Sequence, residues 1–201
     1  MTAGHRYFGT GIITYTNAIG FYAIQNFNTT QSIPTGTTLY APTLLGSNYC
    51  PLEITTEYVW VSGVLQRAIG VWDHNSNQFV VSDTNVTPFL NSSNQYIAEI
   101  YDNSGTWEAM VYDYSISQWL ILYTDSTSTT SMYGFDIWEE YNFNESSWPV
   151  LGTQFDSSSI EICISGTWHN ITSTYGNQQA DLGTAPYTFT WTNQYYHWHV
   201  K

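Results

Sequence analysis

Apolar and polar residues alternate with a period of two along most of this chain, which is the pattern of β-strands with one buried face. Helical spacing of apolar residues is almost absent. Turn residues separate the alternating segments, as at Asp73–Asn77 and Asp102–Gly105. The predicted strands are Gly11–Tyr15, Ile19–Ile24, Glu57–Leu65, Gln95–Tyr101, Trp107–Tyr112, Trp119–Tyr123, Tyr133–Phe143, Ser158–Ile164, Tyr187–Trp191 and Gln194–Val200.

Strands that follow one another through short turns, without helices between them, predict an all-β protein built as an antiparallel sandwich or a barrel. The length of 201 residues suits one large all-β domain. Neither a break in composition nor a repeat of fixed period divides the chain. We therefore expect a single domain over residues 1–201.

Positive charge is scarce, since Arg6, Arg67 and Lys201 stand against 16 acidic residues and the formal net charge is −13. Nucleic-acid binding needs several cations to displace counterions from phosphates, so the sequence excludes that class of partner. No apolar stretch approaches the length of about 18 residues that a membrane helix needs, so we expect no membrane span.

Charged residues make up only 9% of the chain. A surface made soluble by Ser, Thr and Asn changes its net charge little in acid and loses few ion pairs, which suits an acidic exterior. The alternative is the ordinary polar surface of a secreted β-protein, and both interpretations predict an extracellular location. N-glycosylation sequons give weak support for secretion, and they begin at Asn28, Asn85, Asn91, Asn144 and Asn170.

The two cysteines, Cys50 and Cys163, are candidates for one disulfide that closes a long loop. Such a bridge would stabilise the fold by about 4 kcal/mol in the loop-entropy model. The alternative is a pair of unpaired buried thiols. We expect the disulfide if the protein is secreted.

Neither a nucleophile motif nor a metal motif is recognisable. No Gly-x-Ser-x-Gly segment occurs. His197 and His199 would face the same side of a strand, and His169 lies elsewhere in the chain, so zinc binding requires that the three converge. They could equally belong to an exposed strand, and we expect no metal and no cofactor.

One acidic segment, Phe135–Tyr141, stands out in a chain with so few charges. As a strand it projects Asp136, Trp138 and Glu140 to one face and its odd-numbered residues to the other. A carboxyl group partly buried against an aromatic ring has a raised pKa and can act as a general acid or base. The alternative is an edge strand whose solvated acids discourage pairing with other chains.

Two segments resemble motifs of the glutamic peptidases, the eqolisin family. Tyr58-Val59-Trp60-Val61-Ser62-Gly63 runs into Val64-Leu65-Gln66-Arg67, where the family has a Trp-Val-Gly-Ile-Asp-Gly strand and then a Leu-Gln-x-Gly segment. Downstream, Phe135–Glu140 resembles the family's Ala-Glu-Trp-Ile-Val-Glu, and a Pro and a Gly-Thr segment follow in both. The resemblance covers roughly residues 8–165. A looser similarity to thermopsin-type archaeal acid proteases lies in the opening Gly-x-Gly-Ile segment and in the composition.

The resemblance implies a concanavalin-like β-sandwich and a secreted acid endopeptidase. Applied to this chain, the resemblance implies a mechanism in which Glu140 or Asp136 activates a water molecule and the Gln66 amide stabilises the oxyanion. No metal or covalent intermediate takes part, and activity is expected at low pH. A polypeptide substrate would bind to aromatic residues of the concave face, for which the candidates are Tyr58, Trp60, Trp72 and Trp138.

This sequence departs from the family motifs where Tyr58 replaces Trp, Ser62 replaces Asp and Asp136 replaces the first Glu. Two other functions therefore stay open. A glycosidase would need carboxylates that face each other across a groove, with Glu57–Glu140 and Glu108–Asp136 as the candidate pairs. A non-catalytic extracellular surface protein, such as a filament subunit, an adhesin or a carbohydrate-binding module, could self-associate by strand exchange through Tyr7–Tyr15 and Gln194–Val200.

Overall fold

The computed structural model describes residues 4–129, 132–142 and 148–201. These residues form two antiparallel sheets that pack face to face, with one 3-10 turn at Thr87–Phe89. Within the described ranges no helix is long and apolar enough to cross a bilayer. The strands are β1 (Gly4–Ile12), β2 (Ala18–Asn26), β3 (Thr37–Leu45), β4 (Leu52–Val61), β5 (Val64–Asp73), β6 (Gln78–Asp83), β7 (Gln95–Asn103), β8 (Thr106–Asp113), β9 (Gln118–Asp125), β10 (Gly134–Asn142), β11 (Phe155–Ile164), β12 (Thr167–Asn170), β13 (Gly176–Asp181), β14 (Phe189–Asn193) and β15 (His197–Val200).

The first sheet has seven strands in the order β13-β1-β10-β3-β4-β5-β6, and the second has the order β14-β15-β11-β2-β7-β8-β9, with β12 paired to β11. Neighbouring strands pair antiparallel in both sheets. The prediction of an all-β antiparallel sandwich is therefore confirmed. The predicted meander is also confirmed as β7, β8 and β9.

The core lies between the sheets because each strand turns one apolar face inward. Leu39 and Ile54 from the first sheet and Phe21, Ala98 and Ile100 from the second belong to one cluster of buried side chains. Burying side chains of the larger of these types stabilises a fold by roughly 1.5–3 kcal/mol each. The opposite face of each sheet is left for solvent or ligands.

The predicted single strand Glu57–Leu65 is wrong, because a tight turn divides it into β4 and β5. Ser62 and Gly63 have φ values of 50° and 81°, and Val61 pairs with Val64 across them. Two successive positive φ angles are typical of the two-residue hairpin turns that match the twist of the strands. The residues after the turn therefore belong to a new strand.

The terminal segments predicted to exchange between subunits are paired on both sides. β1, which overlaps the predicted Tyr7–Tyr15, lies between β13 and β10, and β15, within Gln194–Val200, lies between β14 and β11. Neither strand offers a free edge. The edges of the two sheets are instead β13, β6, β14, β9 and the short strand β12.

The predicted disulfide is not formed, since Cys50 and Cys163 are both free thiols. Cys50 lies in the core, where its thiol donates to the Leu52 carbonyl oxygen at 3.5 Å. Cys163 lies on β11 opposite Trp168, on the face away from its core-facing neighbour Ile162. The backbone of the second sheet therefore separates the two thiols.

The five predicted glycosylation sites differ in accessibility. Asn28 is buried and its side-chain amide donates to Gln31 at 3.2 Å, so this site is closed to a glycosyltransferase in the folded chain. Asn85 and Asn170 are exposed, and Asn91 is half-buried. Asn144 lies outside the described residues.

Candidate functional site

A groove with a volume of about 680 Å³ lies on the outer face of the seven-stranded sheet, and we call it the outer groove. Ile137 and Glu139 of β10 line it, whereas Asp136, Trp138 and Glu140 are fully buried on the opposite face. β10 pairs residue for residue with β1, so the alternation along it is unbroken. Odd-numbered residues of β10 therefore point outward and even-numbered ones point inward.

Aromatic rings form the walls of the outer groove. Trp72 and Phe79 meet edge to face with their centroids 4.9 Å apart, and Phe79 lies 5.7 Å from Tyr40. Tyr40 in turn contacts Tyr141 at 6.0 Å, and Tyr141 stacks on His5 at 4.3 Å. The rings give the groove an apolar surface on which an extended chain can pack.

Two carboxylate–imidazole pairs lie among these rings. Glu139 Oε2 is 2.9 Å from His5 Nε2, and Glu53 Oε2 is 3.0 Å from His74 Nε2. The Tyr141 hydroxyl also donates to Glu139 Oε2 at 3.4 Å. Burial raises the pKa of Glu53, and the negative charge of Glu139 raises it further, while the hydrogen bond from His74 lowers it.

A third outward carboxyl, Glu57, is almost completely buried. It lies over Gly70, because a side chain at that position would overlap Glu57 Oε1. The Ser82 hydroxyl donates to Glu57 Oε1 at 2.6 Å. Burial raises the pKa of Glu57 to about 7, although the hydrogen bond from Ser82 lowers it.

Tyr40 lies between two of these carboxyls, since on β3 it pairs with Glu139 of β10 on one side and with Glu57 of β4 on the other. Burial raises the pKa of the Tyr40 hydroxyl well above its usual range, and the charges of Glu57, Glu139 and Glu53 raise it further. The hydroxyl therefore stays protonated in acidic and neutral solution and can donate a hydrogen bond there.

The predicted catalytic acid Asp136 lies between the sheets. Gln25 Nε2 donates to its Oδ2 at 2.8 Å, and Trp198 Nε1 donates to its Oδ1 at 2.7 Å, both from the second sheet. Burial raises the pKa of Asp136 to about 7, against the opposing effect of its hydrogen bonds.

Glu140 also points inward and has no exposed surface. It accepts hydrogen bonds from the Tyr187 hydroxyl at 3.0 Å and from the Asn142 amide at 3.1 Å. Burial raises the pKa of Glu140 to about 7, although both hydrogen bonds lower it.

Gln66 lies on the other side of the first sheet from these two acids. It pairs with Val59 and is half-buried, and it shares the outward face of β5 with Trp72, which lines the outer groove. β4 and β5 pair residue for residue, so no irregularity turns the Gln66 side chain inward. The structure therefore does not bring Gln66 together with Asp136 or Glu140.

Of the four aromatic residues expected to hold substrate, Trp72 lines the outer groove. Tyr58 and Trp138 are wholly buried between the sheets, so their expected place on a substrate-binding face is wrong. Trp60 points to the same side as Tyr58, and its Nε1 donates to the carbonyl oxygens of Ile33 and Pro34, at 3.2 Å each. Trp60 is nevertheless 37% exposed near the end of β4, and it is not among the residues that line the outer groove.

The candidate pairs for a glycosidase are also separated. Glu57 points outward and Glu140 inward across the first sheet. Glu108 is half-buried on β8, where it accepts a hydrogen bond from the Asn103 amide at 3.1 Å, whereas Asp136 is fully buried. Neither pair faces across a groove.

The three histidines singled out in the sequence form no metal site. His197 contacts Asp156 at 2.9 Å, His199 lies 3.3 Å from the Thr192 hydroxyl, and His169 packs on the ring of Tyr175. No cluster of three or more potential metal-ligating residues occurs in the part of the chain that the structure describes.

Sequence reasoning missed the groove acids Glu53 and Glu139 and their histidine partners. Their strands carry a signal that could have found them, since Glu139 alternates with Trp138 and Glu53 alternates with Ile54. A buried aromatic or aliphatic neighbour places an acid on the opposite face. Finding the partners requires the strand order, because His5 of β1 and His74 in the turn after β5 are distant in sequence from the acids that they contact.

No protein-family model matches the sequence, and the curated proteins give no significant match. Among solved structures, scytalido-glutamic peptidase with a peptide-based transition-state analogue superposes with a TM-score of 0.55, 12% identity and coverage of 99% of this chain and 98% of that one. The same peptidase with a transition-state analogue inhibitor gives 0.59, 10% identity and 97% of both chains. SCP-B, a member of the eqolisin family, in complex with the tripeptide Ala-Ile-His, gives 0.56, 9% identity and coverage of 99% and 98%. The chain therefore has an eqolisin-like fold over nearly its whole length.

Proposed function

We propose that this chain is an extracellular peptidase of the glutamic type, which binds unfolded polypeptide in the outer groove and hydrolyses it with a carboxyl group. The observation that carries the proposal is Glu57, a buried outward carboxyl that forms no ion pair among the described residues. The fold that the chain shares with glutamic peptidases supports the same class of reaction.

Glu57 is the outward acid best suited to proton transfer. Glu53 and Glu139 are each hydrogen-bonded to an imidazole, whereas Glu57 accepts from a neutral hydroxyl. A pKa of about 7 lets Glu57 exchange a proton readily in weakly acidic or neutral solution. As a carboxylate it takes a proton from water that attacks the scissile carbonyl carbon, and it then returns that proton to the leaving amine.

Stabilisation of the oxyanion falls to the Tyr40 hydroxyl, which lies on the strand next to Glu57 and stays protonated. A preorganised donor of this kind stabilises negative charge as it develops on the carbonyl oxygen. We propose that Gln66, two residues from the cross-strand partner of Glu57, holds the peptide backbone by its amide. In this assignment Asp136 and Glu140 take no part in hydrolysis and form hydrogen bonds inside the fold.

The same assignment predicts the pH range of activity. A group that acts first as a base and then as an acid works best near its own pKa. Since the pKa of Glu57 is raised to about 7, we expect the highest rate in weakly acidic to neutral solution, above the strongly acidic range that the sequence resemblance implies. The rate should fall towards lower pH as Glu57 becomes protonated.

The test is the digestion of an unfolded protein between pH 3 and pH 8 by the wild type, Glu57→Gln and Glu99→Gln. Glu99 is a matched control because it is an outward, partly buried carboxyl of the second sheet whose pKa burial also raises to about 7. We expect Glu57→Gln to lose at least about a hundredfold in rate, as for other general acid–base groups, and Glu99→Gln to keep it. Cleavage that survives Glu57→Gln would refute the assignment.

A non-catalytic polypeptide-binding protein is the second candidate. It is favoured by the separation of Gln66 from Asp136 and Glu140, since the sequence had joined these residues in one site. A folded wild type that binds peptides without cleaving them at any pH would establish this function in place of the first.

A further inference from the structure

The outer groove combines negative charge with aromatic walls. The carboxylates of Glu53 and Glu139 both face into it, at 9% and 6% residue exposure. Each uses its Oε2 to contact an imidazole. The two carboxylates belong to β4 and β10, on either side of β3, where Glu139 pairs with Tyr40 and Glu53 pairs with Leu45.

The rings around these carboxylates present their faces and edges to the same space. Tyr40 of β3 pairs with Glu139, and its ring contacts Tyr141 on one side and Phe79 on the other. Trp72, which pairs with Glu53 across β4 and β5, closes the far side. A cation placed near such rings is attracted to their negative faces, and a desolvated carboxylate adds a charged hydrogen-bond acceptor.

Among the described residues the chain supplies neither lysine nor arginine to this space, and its two groove imidazoles, His5 and His74, each contact the Oε2 of one carboxylate. Its three basic residues are Arg6, Arg67 and Lys201, and none of them lines the groove in the part of the chain that the structure describes. The formal net charge of −13 adds a long-range attraction for positively charged ligands.

We propose that the space between Glu53 and Glu139 is a specificity pocket that holds a lysine or arginine side chain of the bound polypeptide. This inference rests on the proposed function for its polypeptide ligand, but it concerns recognition and not hydrolysis. The guanidinium or ammonium group lies between the two carboxylates, and its aliphatic stem packs on Tyr40 and Trp72.

The test compares three short alanine-rich peptides that differ at one central residue, which is arginine, citrulline or glutamate. Citrulline keeps the shape and most hydrogen-bonding groups of arginine but has no charge. Binding is measured by calorimetry at pH 7.5 in the Glu57→Gln background, so that hydrolysis does not consume the peptide. We expect the arginine peptide to bind at least about tenfold more tightly than the citrulline peptide.

Three further variants locate the preference. Glu53→Gln and Glu139→Gln should each reduce it to about threefold or less, while Glu99→Gln, which removes the same charge from the second sheet, should keep it. Urea unfolding of each variant verifies that the fold is retained.

Three results would overturn the proposed pocket: the arginine and citrulline peptides bind equally, neither peptide binds, or the preference for arginine is unchanged in both groove variants. Cleavage of the same peptides by the wild type tests the proposed function separately. A wild type that cleaves both peptides equally well refutes the pocket alone, whereas one that prefers arginine without cleaving refutes the peptidase alone.

Discussion

Replacing Asp136 with asparagine should change how the stability of this protein depends on pH. Asp136 is fully buried between the sheets, and its partners there are neutral groups, the Gln25 amide and the Trp198 indole. Without a cation beside it, the carboxylate loses its hydration with little compensation, so burial raises its pKa from 3.8 to about 7.

The direction in which stability changes with pH follows from proton linkage. Between pH 4 and pH 7 the folded state keeps Asp136 protonated, whereas the unfolded state releases that proton. The folded state therefore binds more protons, and the free energy of unfolding falls as the pH rises through this window. A rise of the pKa from 3.8 to about 7 corresponds to a contribution of about 4 kcal/mol, lost between about pH 4 and pH 7.

Asp136→Asn removes this titration while keeping the shape of the side chain. In the native chain the Tyr96 hydroxyl donates to Gln25 Oε1 at 2.7 Å. If the Gln25 amide rotates, its Oε1 accepts a hydrogen bond from the new asparagine amide, and its Nε2 donates to the Tyr96 hydroxyl. The asparagine can therefore be accommodated. Any cost of this rearrangement is independent of pH. The slope of stability against pH, and not its absolute value, is therefore the quantity to compare.

Urea unfolding followed by tryptophan fluorescence at intervals between pH 4 and pH 7.5 measures this slope. The wild type should lose more stability than Asp136→Asn over that range, by up to about 4 kcal/mol. Glu99→Gln is the control, and its smaller difference reflects the greater access of solvent to that carboxyl. Parallel curves for the wild type and Asp136→Asn would refute the reasoning.

Three other predictions test separate parts of the structure. Gly70→Ala should displace the Glu57 carboxyl, because the new methyl group overlaps Glu57 Oε1. Peptidase activity should then fall at least about tenfold, while the far-ultraviolet circular dichroism spectrum stays unchanged. Full activity would contradict the role of Glu57. Trp138→Ala should lower the free energy of unfolding in urea by about 3–5 kcal/mol, because Trp138 is fully buried. Trp72→Ala should weaken peptide binding with a much smaller loss of stability, because Trp72 lines the outer groove. The reverse result would contradict the placement of the two side chains. Thiol titration in denaturant, under non-reducing conditions, should count two free thiols. In the folded protein Cys50 should be unreactive, because burial raises its pKa to about 12. A count of zero in denaturant would show that the disulfide forms after all.

The strand pattern predicts the fold class well because the core-facing residues alternate strongly in the strands that the sequence identified. β3, β6, β12 and β13 escaped detection, and for β3 and β13 the structure shows the local reasons. β3 contains Pro42 within its run, and Ala41 and Pro42 together oppose Trp138 where the register with β10 shifts, which is a bulge. β13 reads Gly-Asn-Gln-Gln-Ala-Asp at a sheet edge, so it carries little apolar alternation to recognise.

The candidate site was harder to predict because alternation along a strand does not say which face becomes the interior. In β10 both faces carry acids and apolar residues, with Asp136 and Trp138 on one face and Ile137 and Glu139 on the other. The deciding contacts come from Gln25 of β2 and Trp198 of β15, which belong to the other sheet. These partners are remote in sequence, and they satisfy a carboxyl group that a local interpretation would place in solvent.

Three buried carboxyl groups of this protein link pH to stability and to the proposed activity in opposite directions. Asp136 and Glu140 lie inside, where burial raises both pKa values to about 7, so acid favours the folded state through them. Glu57 lies on the outer face beside the groove, and in the proposed mechanism its ionised form activates water. Lowering the pH therefore strengthens the interior while it removes the reactive form of the outer carboxyl. Because burial raises the pKa of Glu57 as well, acid stabilises the fold through all three groups, whereas the proposed hydrolysis needs weakly acidic to neutral solution.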